Sequence, residues 1–326
     1  MQQLSLSDLD DLWHEFEGAV DATPEVDPWC SGPDWQIPVC TGFAPDAERI
    51  LLTTANNDGF ALLAVYEGPD GTELIGGLEP LWGFGTPILG ADPATVAAAA
   101  AAFVKERAGW QTLFLPGMPV TVALDSDGNP TRPQPSPDGL LLSVAVGLSS
   151  LGPVHATEGI TRQIADLDDG YDGWLARRTA KFRRNLRQAT ATATDAGLTV
   201  EDVSTAPDLF NRLLTIERQS WKGLEESGIT TEEMATTYRL MIDRLRQRGR
   251  LLAYVARLDG RDVGYILGGI RAGRYRGLQL SFADDVRHLS IGNLLQDHQL
   301  RQLTEGGLAS TYDPVSYTHL TLPTKA

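Results

Sequence analysis

Between Leu251 and Ala283 the chain offers three strand-length apolar runs in succession: Leu251–Leu258, Asp262–Ile270 and Tyr275–Ala283. Only the turn residues Asp259-Gly260-Arg261 and Ala272-Gly273-Arg274 separate them, which predicts an antiparallel meander. The next segment, Arg287-His288-Leu289-Ser290-Ile291-Gly292-Asn293, leads into a helix-like run from Asn293 to Leu303. A glycine-bearing turn that opens a helix presents unpaired N–H groups at the positive end of the helix dipole. Its natural guest is an anion such as a pyrophosphate. The structural alternative is a plain helix start with Ser290 as its cap.

Upstream, the second half reads as a strand (Ile160–Ile164), a basic helix, a strand (Leu198–Val203) and helices over Asp208–Trp221 and Glu232–Arg248. The first half opens with a helix (Leu6–Ala19) and a loop holding Trp29 and Trp35. Strands are expected at Ile50–Thr54, Phe60–Tyr66, Glu73–Leu78, Thr112–Leu115 and Leu140–Val146, with an alanine-rich helix at Ala94–Val104. Val120–Asp138 reads as an exposed loop and Ser149–Thr157 as a hinge. Leu62–Tyr66, Asp70-Gly71 and Leu74–Gly77 echo Leu251–Val255, Asp259-Gly260 and Val263–Ile266, the pattern of a tandem duplication. The first half has no Arg-x-x-Ser-x-Gly loop, so its copy is expected to have lost cofactor binding.

Composition removes several classes of function. The 326 residues suffice for two cores, and no apolar run approaches the roughly 20 residues of a membrane span. The acidic first residues lack the basic start of a signal peptide, so the cytoplasm is the expected location. Cys30 and Cys40 have neither metal-ligand spacing nor a histidine cluster beside them, and no metal is expected. A net charge of −16 opposes nucleic acid and anionic membranes as partners. The local exception is Arg177–Arg187, with six positive charges and no acid. Leu175, Thr179, Phe182, Leu186, Ala189 and Ala193 give that helix one apolar face. Its basic face is either solvated or an anion site for an acidic acceptor or a cofactor phosphate.

Helices, an antiparallel meander and then a loop feeding a helix resemble the GCN5-related N-acetyltransferase (GNAT) superfamily. Arg287-His288-Leu289-Ser290-Ile291-Gly292 is similar to the family's Gln/Arg-x-x-Gly-x-Gly/Ala loop, with Ser290 in place of the first glycine. Arg183-Arg184-Asn185-Leu186-Arg187 and Glu217-Arg218-Gln219-Ser220-Trp221-Lys222 resemble segments of the CelD-like (BioF-type) acetyltransferases, themselves similar to the FemAB tandem fold. The resemblance implies an α/β (α+β) chain of two tandem GNAT-like domains, each a mixed, mostly antiparallel sheet flanked by helices. The expected boundaries are a degenerate domain at 1–150 and an acyltransferase domain at 151–313.

It also implies acyl transfer from acetyl-CoA, or another acyl-CoA, to an amine or hydroxyl. Arg287, His288, Leu289, Ser290, Ile291, Gly292 and Asn293 would hold the pyrophosphate, and the edge of Tyr275–Ala283 would pair with the pantetheine arm. Glu217 is the candidate base, against a surface glutamate as the alternative. Trp221 is expected in the core, Lys222 in solvent, and His288 either on a phosphate or facing solvent. Thr311-Tyr312-Asp313 is similar to the start of the family's fifth strand, with Tyr312 a candidate catalytic group.

Residues 315–324 are what one frame of a transposon-type sequencing adaptor encodes, so 314–326 are expected to be non-native. A second domain cut short at its fifth strand would leave an apolar sheet edge uncovered. A non-catalytic binding scaffold on the same fold is the second hypothesis. The third is a FemAB-like aminoacyltransferase using charged tRNA, against which the acidic charge counts. The acceptor stays open among small molecules of saccharide or amino-acid type, antibiotics and lipid precursors.

Overall fold

The computed structural model describes residues 1–68, 71–120, 135–157 and 162–314. The chain divides into two compact units, Met1–Ile160 and Thr161–Ala326, ten residues beyond the expected boundary.

The first unit runs β1 (Gln2–Leu4), α1 (Leu6–Asp11), α2 (Trp13–Ala22), α3 (Pro33–Phe43), β2 (Glu48–Thr53), β3 (Gly59–Glu67) and β4 (Glu73–Gly77). It continues with β5 (Ile88–Gly90), α4 (Pro93–Lys105), β6 (Trp110–Phe114) and α5 (Leu140–Leu148). Its sheet has the order β1-β2-β3-β4-β6, with β5 also on β3, and β6 is parallel to β4. Alternation along β2 and β3 divides the core by face. Ile50, Leu52, Ala61 and Leu63 pack towards α4 and α5, whereas Leu51, Phe60, Leu62 and Ala64 pack with residues of α1, α2 and α3.

Three expectations fail here. Leu140–Leu148 is a helix, not a strand: Leu140, Val144, Gly147 and Leu148 are buried at helical spacing. A Cβ on Gly147 would come within 2.6 Å of Ala97 Cβ, so glycine sets how closely α5 meets α4. Trp35 lies in α3, not in a loop. The opening helix is two helices, the first begun by a capping box between Ser5 and Asp8. Most of the expected 120–138 loop lies outside the described residues.

The second unit runs β7 (Ala165–Asp166), α6 (Gly170–Ala176), α7 (Ala180–Asp195), β8 (Thr199–Asp202), α8 (Leu209–Glu217), α9 (Trp221–Leu224) and α10 (Glu232–Gln247). Then come β9 (Leu251–Leu258), β10 (Arg261–Arg271), β11 (Arg274–Phe282), α11 (Ile291–Glu305) and β12 (Thr311–Asp313). The meander forms as expected. Asp259-Gly260 and Ala272-Gly273 all have positive φ, the conformation of two-residue hairpin turns whose twist matches the strands. The basic helix is broken: Thr179 accepts from the Phe182 amide and starts α7 afresh after α6. Sheet order is β7-β12-β11-β10-β9-β8, with β12 parallel to β11. Of the expected strand at 160–164, residues 160 and 161 lie outside the described residues and 162–164 are not in a strand; β7 follows them and pairs with β12 through Thr311↔Asp166 and Tyr312↔Ala165. The outer side of β12 is therefore paired, not uncovered.

Both units share one plan: a strand, helices, a three-strand meander, a helix, and a strand parallel to the last of the meander. The duplication is thus visible in topology, but the sequence echo matched the wrong hairpins. It aligned β3–β4 with β9–β10, whereas the strand order equates β3–β4 with β10–β11.

Candidate active site

β11 ends where the Ala283 amide donates to the Val263 carbonyl at 2.8 Å. A 3-10 turn, Asp284–Leu289, follows, and Ser290 takes a left-handed backbone (φ 57°, ψ 35°) that turns the chain into α11. Ser290 does not cap the helix with its side chain. Its carbonyl instead accepts from the amides of Asn293 (3.0 Å) and Leu294 (3.2 Å), and the Ile291 and Gly292 amides lie in the first turn, at the positive end of α11. Leu289 and Ile291 are buried core residues. Arg287, His288 and Asn293 are exposed around this point, with Arg287 3.6 Å from Asp284. Gly292 is buried, and a Cβ there would meet Leu280 at 3.3 Å and Phe282 at 3.2 Å. Glycine lets the helix start lie directly on β11.

Glu217 ends α8 and is wholly buried, so the surface alternative is excluded. Its carboxylate accepts from Tyr265 Oη at 3.1 Å and Gln279 Nε2 at 3.2 Å. Lys222 is also buried, its ammonium donating to Gln279 Oε1 and to the Leu280 carbonyl, both at 3.0 Å. Burial pushes the Lys222 amine below its ordinary value, while the charge of Glu217 pushes it back up. Trp221, expected in the core, is 46% exposed. Expectation is inverted at both positions because Ser220 caps a one-turn helix that aims the lysine inward. Tyr265, Gln279 and Tyr238 were not singled out by the sequence, and Lys222 was expected in solvent. The available signal was Gln279 and Ser281, polar residues two apart in a strand buried on both faces.

The edge of β11 is partly engaged. The Ala283–Val263 bond places Leu280 and Phe282 at positions whose backbone groups point away from β10. On β11, the described residues of β12 pair with Arg274–Arg276. Beyond it, the Leu278 carbonyl accepts from Tyr238 Oη at 2.7 Å and the Leu280 carbonyl from Lys222. The pantetheine edge expected along the whole strand is thus shortened.

Tyr312 lies flat on Tyr275, ring centroids 5.1 Å apart and 5° between planes, in the cluster of Trp174, Leu300 and Leu303. Burial pushes its phenol up, making it a weaker acid than a free tyrosine. The ring is thus stacked and buried, and its phenol stays protonated. Asp313 beside it pairs with the buried Arg276 and, at 3.3 Å, with Arg162.

Residues 180–316 match a family described as an acetyltransferase (GNAT) domain. The second unit belongs to the GNAT superfamily. The tandem arrangement is found in FemX, whose structure aligns over 98% of this chain and 91% of its own at 14% identity, TM-score 0.57. The C-terminal domain of an Agrobacterium fabrum protein described as a lysylphosphatidylglycerol synthetase aligns over 92% of this chain and 76% of its own, at 15% identity and TM-score 0.50. No curated protein sequence matches the chain.

In the GNAT unit no side chain caps the helix that follows the meander; in the first unit a side chain fills the equivalent loop. After β4, the buried Glu79 carboxylate accepts from the amides of Trp82, Gly83, Phe84 and Gly85 at 2.7–3.0 Å. Four consecutive N–H groups converging on one anion form a nest, and here the chain supplies the anion itself. Among the described residues no group of three or more His, Cys, Asp or Glu side chains could hold a metal ion, and no helix is long and apolar enough to cross a membrane.

Proposed function

We propose that the GNAT unit transfers an acyl group from an acyl-CoA, acetyl-CoA foremost, to an amine or hydroxyl of a small acceptor. One observation carries this reading: both halves of the chemistry meet on Leu280. Its side chain lies under Gly292 at the open helix start, and its carbonyl accepts from Lys222, which Gln279 links to Glu217. The Ile291 and Gly292 amides would hold the pyrophosphate, with Arg287, His288, Ser290 and Asn293 around it. Leu289 and Ile291 would contribute backbone alone. Glu217 takes the acceptor's proton, directly or through one water, while Tyr265 and Gln279 keep its carboxylate oriented. The Lys222 ammonium, in a water-poor setting beside β11, favours negative charge developing on the carbonyl under attack. The exposed ring of Trp221 offers a stacking face for a saccharide or amino-acid acceptor.

The engaged carbonyls of Leu278 and Leu280 favour a second reading, a non-catalytic scaffold whose strand edge is closed by its own side chains. Calorimetric titration with acetyl-CoA separates the two. The wild-type chain binds one equivalent and Gly292→Trp binds none if the first reading holds; silence from both supports the scaffold. In the enzyme, Glu217→Gln lowers the acyl-transfer rate by about 100-fold or more with acetyl-CoA affinity unchanged. An unaltered rate removes Glu217 from the base role.

A further inference from the structure

The basic helix α7 is not used by the site above. With α6 and α11 it lines a cavity of about 430 Å³ whose walls include Arg183, Arg187, Arg301, Tyr171, Leu175 and Leu186. Arg301 is preset: it stacks 3.8 Å above the Tyr171 ring, donates to Tyr171 Oη at 2.7 Å and to Asp297 at 3.0 Å, and Tyr171 donates to Asp297. Arg183 donates to the Ala176 carbonyl at 3.0 Å and the Arg178 carbonyl at 2.5 Å, and Arg187 donates to the Arg183 carbonyl at 3.4 Å. Among the described residues neither Arg183 nor Arg187 has an acidic partner, in a chain carrying sixteen more acidic than basic side chains. Asp297, the acid at the rim, is already matched by Arg301. Two uncompensated guanidinium groups, with a third held rigid opposite them, therefore face one concave space.

We propose that this groove is a second anion site, for a small molecule carrying a phosphate or diphosphate and a short apolar part. Guanidinium forks match phosphate oxygens in pairs, and Leu175 and Leu186 supply an apolar floor. The groove is separate from the helix-start cradle, because Arg301 lies about 14 Å along α11 from Gly292 at a rise of ~1.5 Å per residue. A concave pocket with apolar walls on an acidic protein suits a small ligand better than a nucleic-acid backbone, which would meet repulsion beyond the groove.

The test is calorimetry on the full chain with inorganic pyrophosphate as probe. The wild-type chain and Gly292→Trp both show saturable groove binding. Arg183→Gln/Arg187→Gln weakens it at least tenfold. Thr190→Trp, which fills the groove from an exposed position without removing a charge, abolishes it, and unchanged melting of both variants excludes misfolding. The proposal is overturned by wild-type silence at millimolar pyrophosphate, by unchanged affinity in either groove variant, or by loss of all binding in Gly292→Trp.

Discussion

Ser290 shows what one residue can and cannot be made to do. Its left-handed backbone (φ 57°) is what the turn into α11 requires, and a residue with a Cβ adopts it at a cost of about 1 kcal/mol. The same geometry explains why the family pattern has glycine at this place. Ser290→Gly is therefore expected to leave the loop unchanged and to stabilise the GNAT unit by up to ~1 kcal/mol, read as a higher urea midpoint at constant m. A lower midpoint would mean that the serine hydroxyl makes a contribution larger than the strain. His298, half-buried and edge-on to Tyr254 at 4.8 Å, gives a pH prediction. Burial holds its pKa below the ordinary 6.5. The unfolded chain then binds more protons in the window just below 6.5, so stability falls as pH drops through it. His298→Phe should flatten that part of the urea-stability profile relative to wild type; parallel profiles would remove the histidine from the account.

At the scale of elements, periodicity was a reliable guide wherever each element could be decided by its own neighbours. The meander β9–β11 appears within one residue of the expected runs at most ends, because two tight turns leave antiparallel pairing as the local solution. Leu140–Leu148 is apolar without a clear period, and only packing on α4 makes it helical. Glu79 belongs to the same class of hidden feature. No local pattern marks it, yet it satisfies four backbone donors, three of them buried. Glu79→Ala strands those donors and should destabilise the first unit by about 3 kcal/mol or more. Loss of less than ~1 kcal/mol in chemical denaturation would show that the loop relaxes to find other partners.

For the whole molecule, the repeated topology divides roles between two related halves. One loop after a meander is filled from within by Glu79, and the other turns into α11 with no side-chain cap. The chain should accordingly bind acetyl-CoA with a stoichiometry of one. A second equivalent that survives both Gly292→Trp and Thr190→Trp would show that the first unit also retains a nucleotide cradle. The sequence by itself determined the meander and the loop Arg287–Asn293, because these depend on local turn chemistry and period, while the tandem α/β plan and the family came from the resemblance of its motifs. It also brought Glu217 into view, through a motif and not through physics. Tertiary structure alone decided that Glu217 and Lys222 are buried together while Trp221 faces out, that Tyr312 is a stacking residue, and that β7 covers β12. Those outcomes depend on partners 37 to 147 positions away in the chain, and desolvation and pairing at such distances leave no trace in any local window.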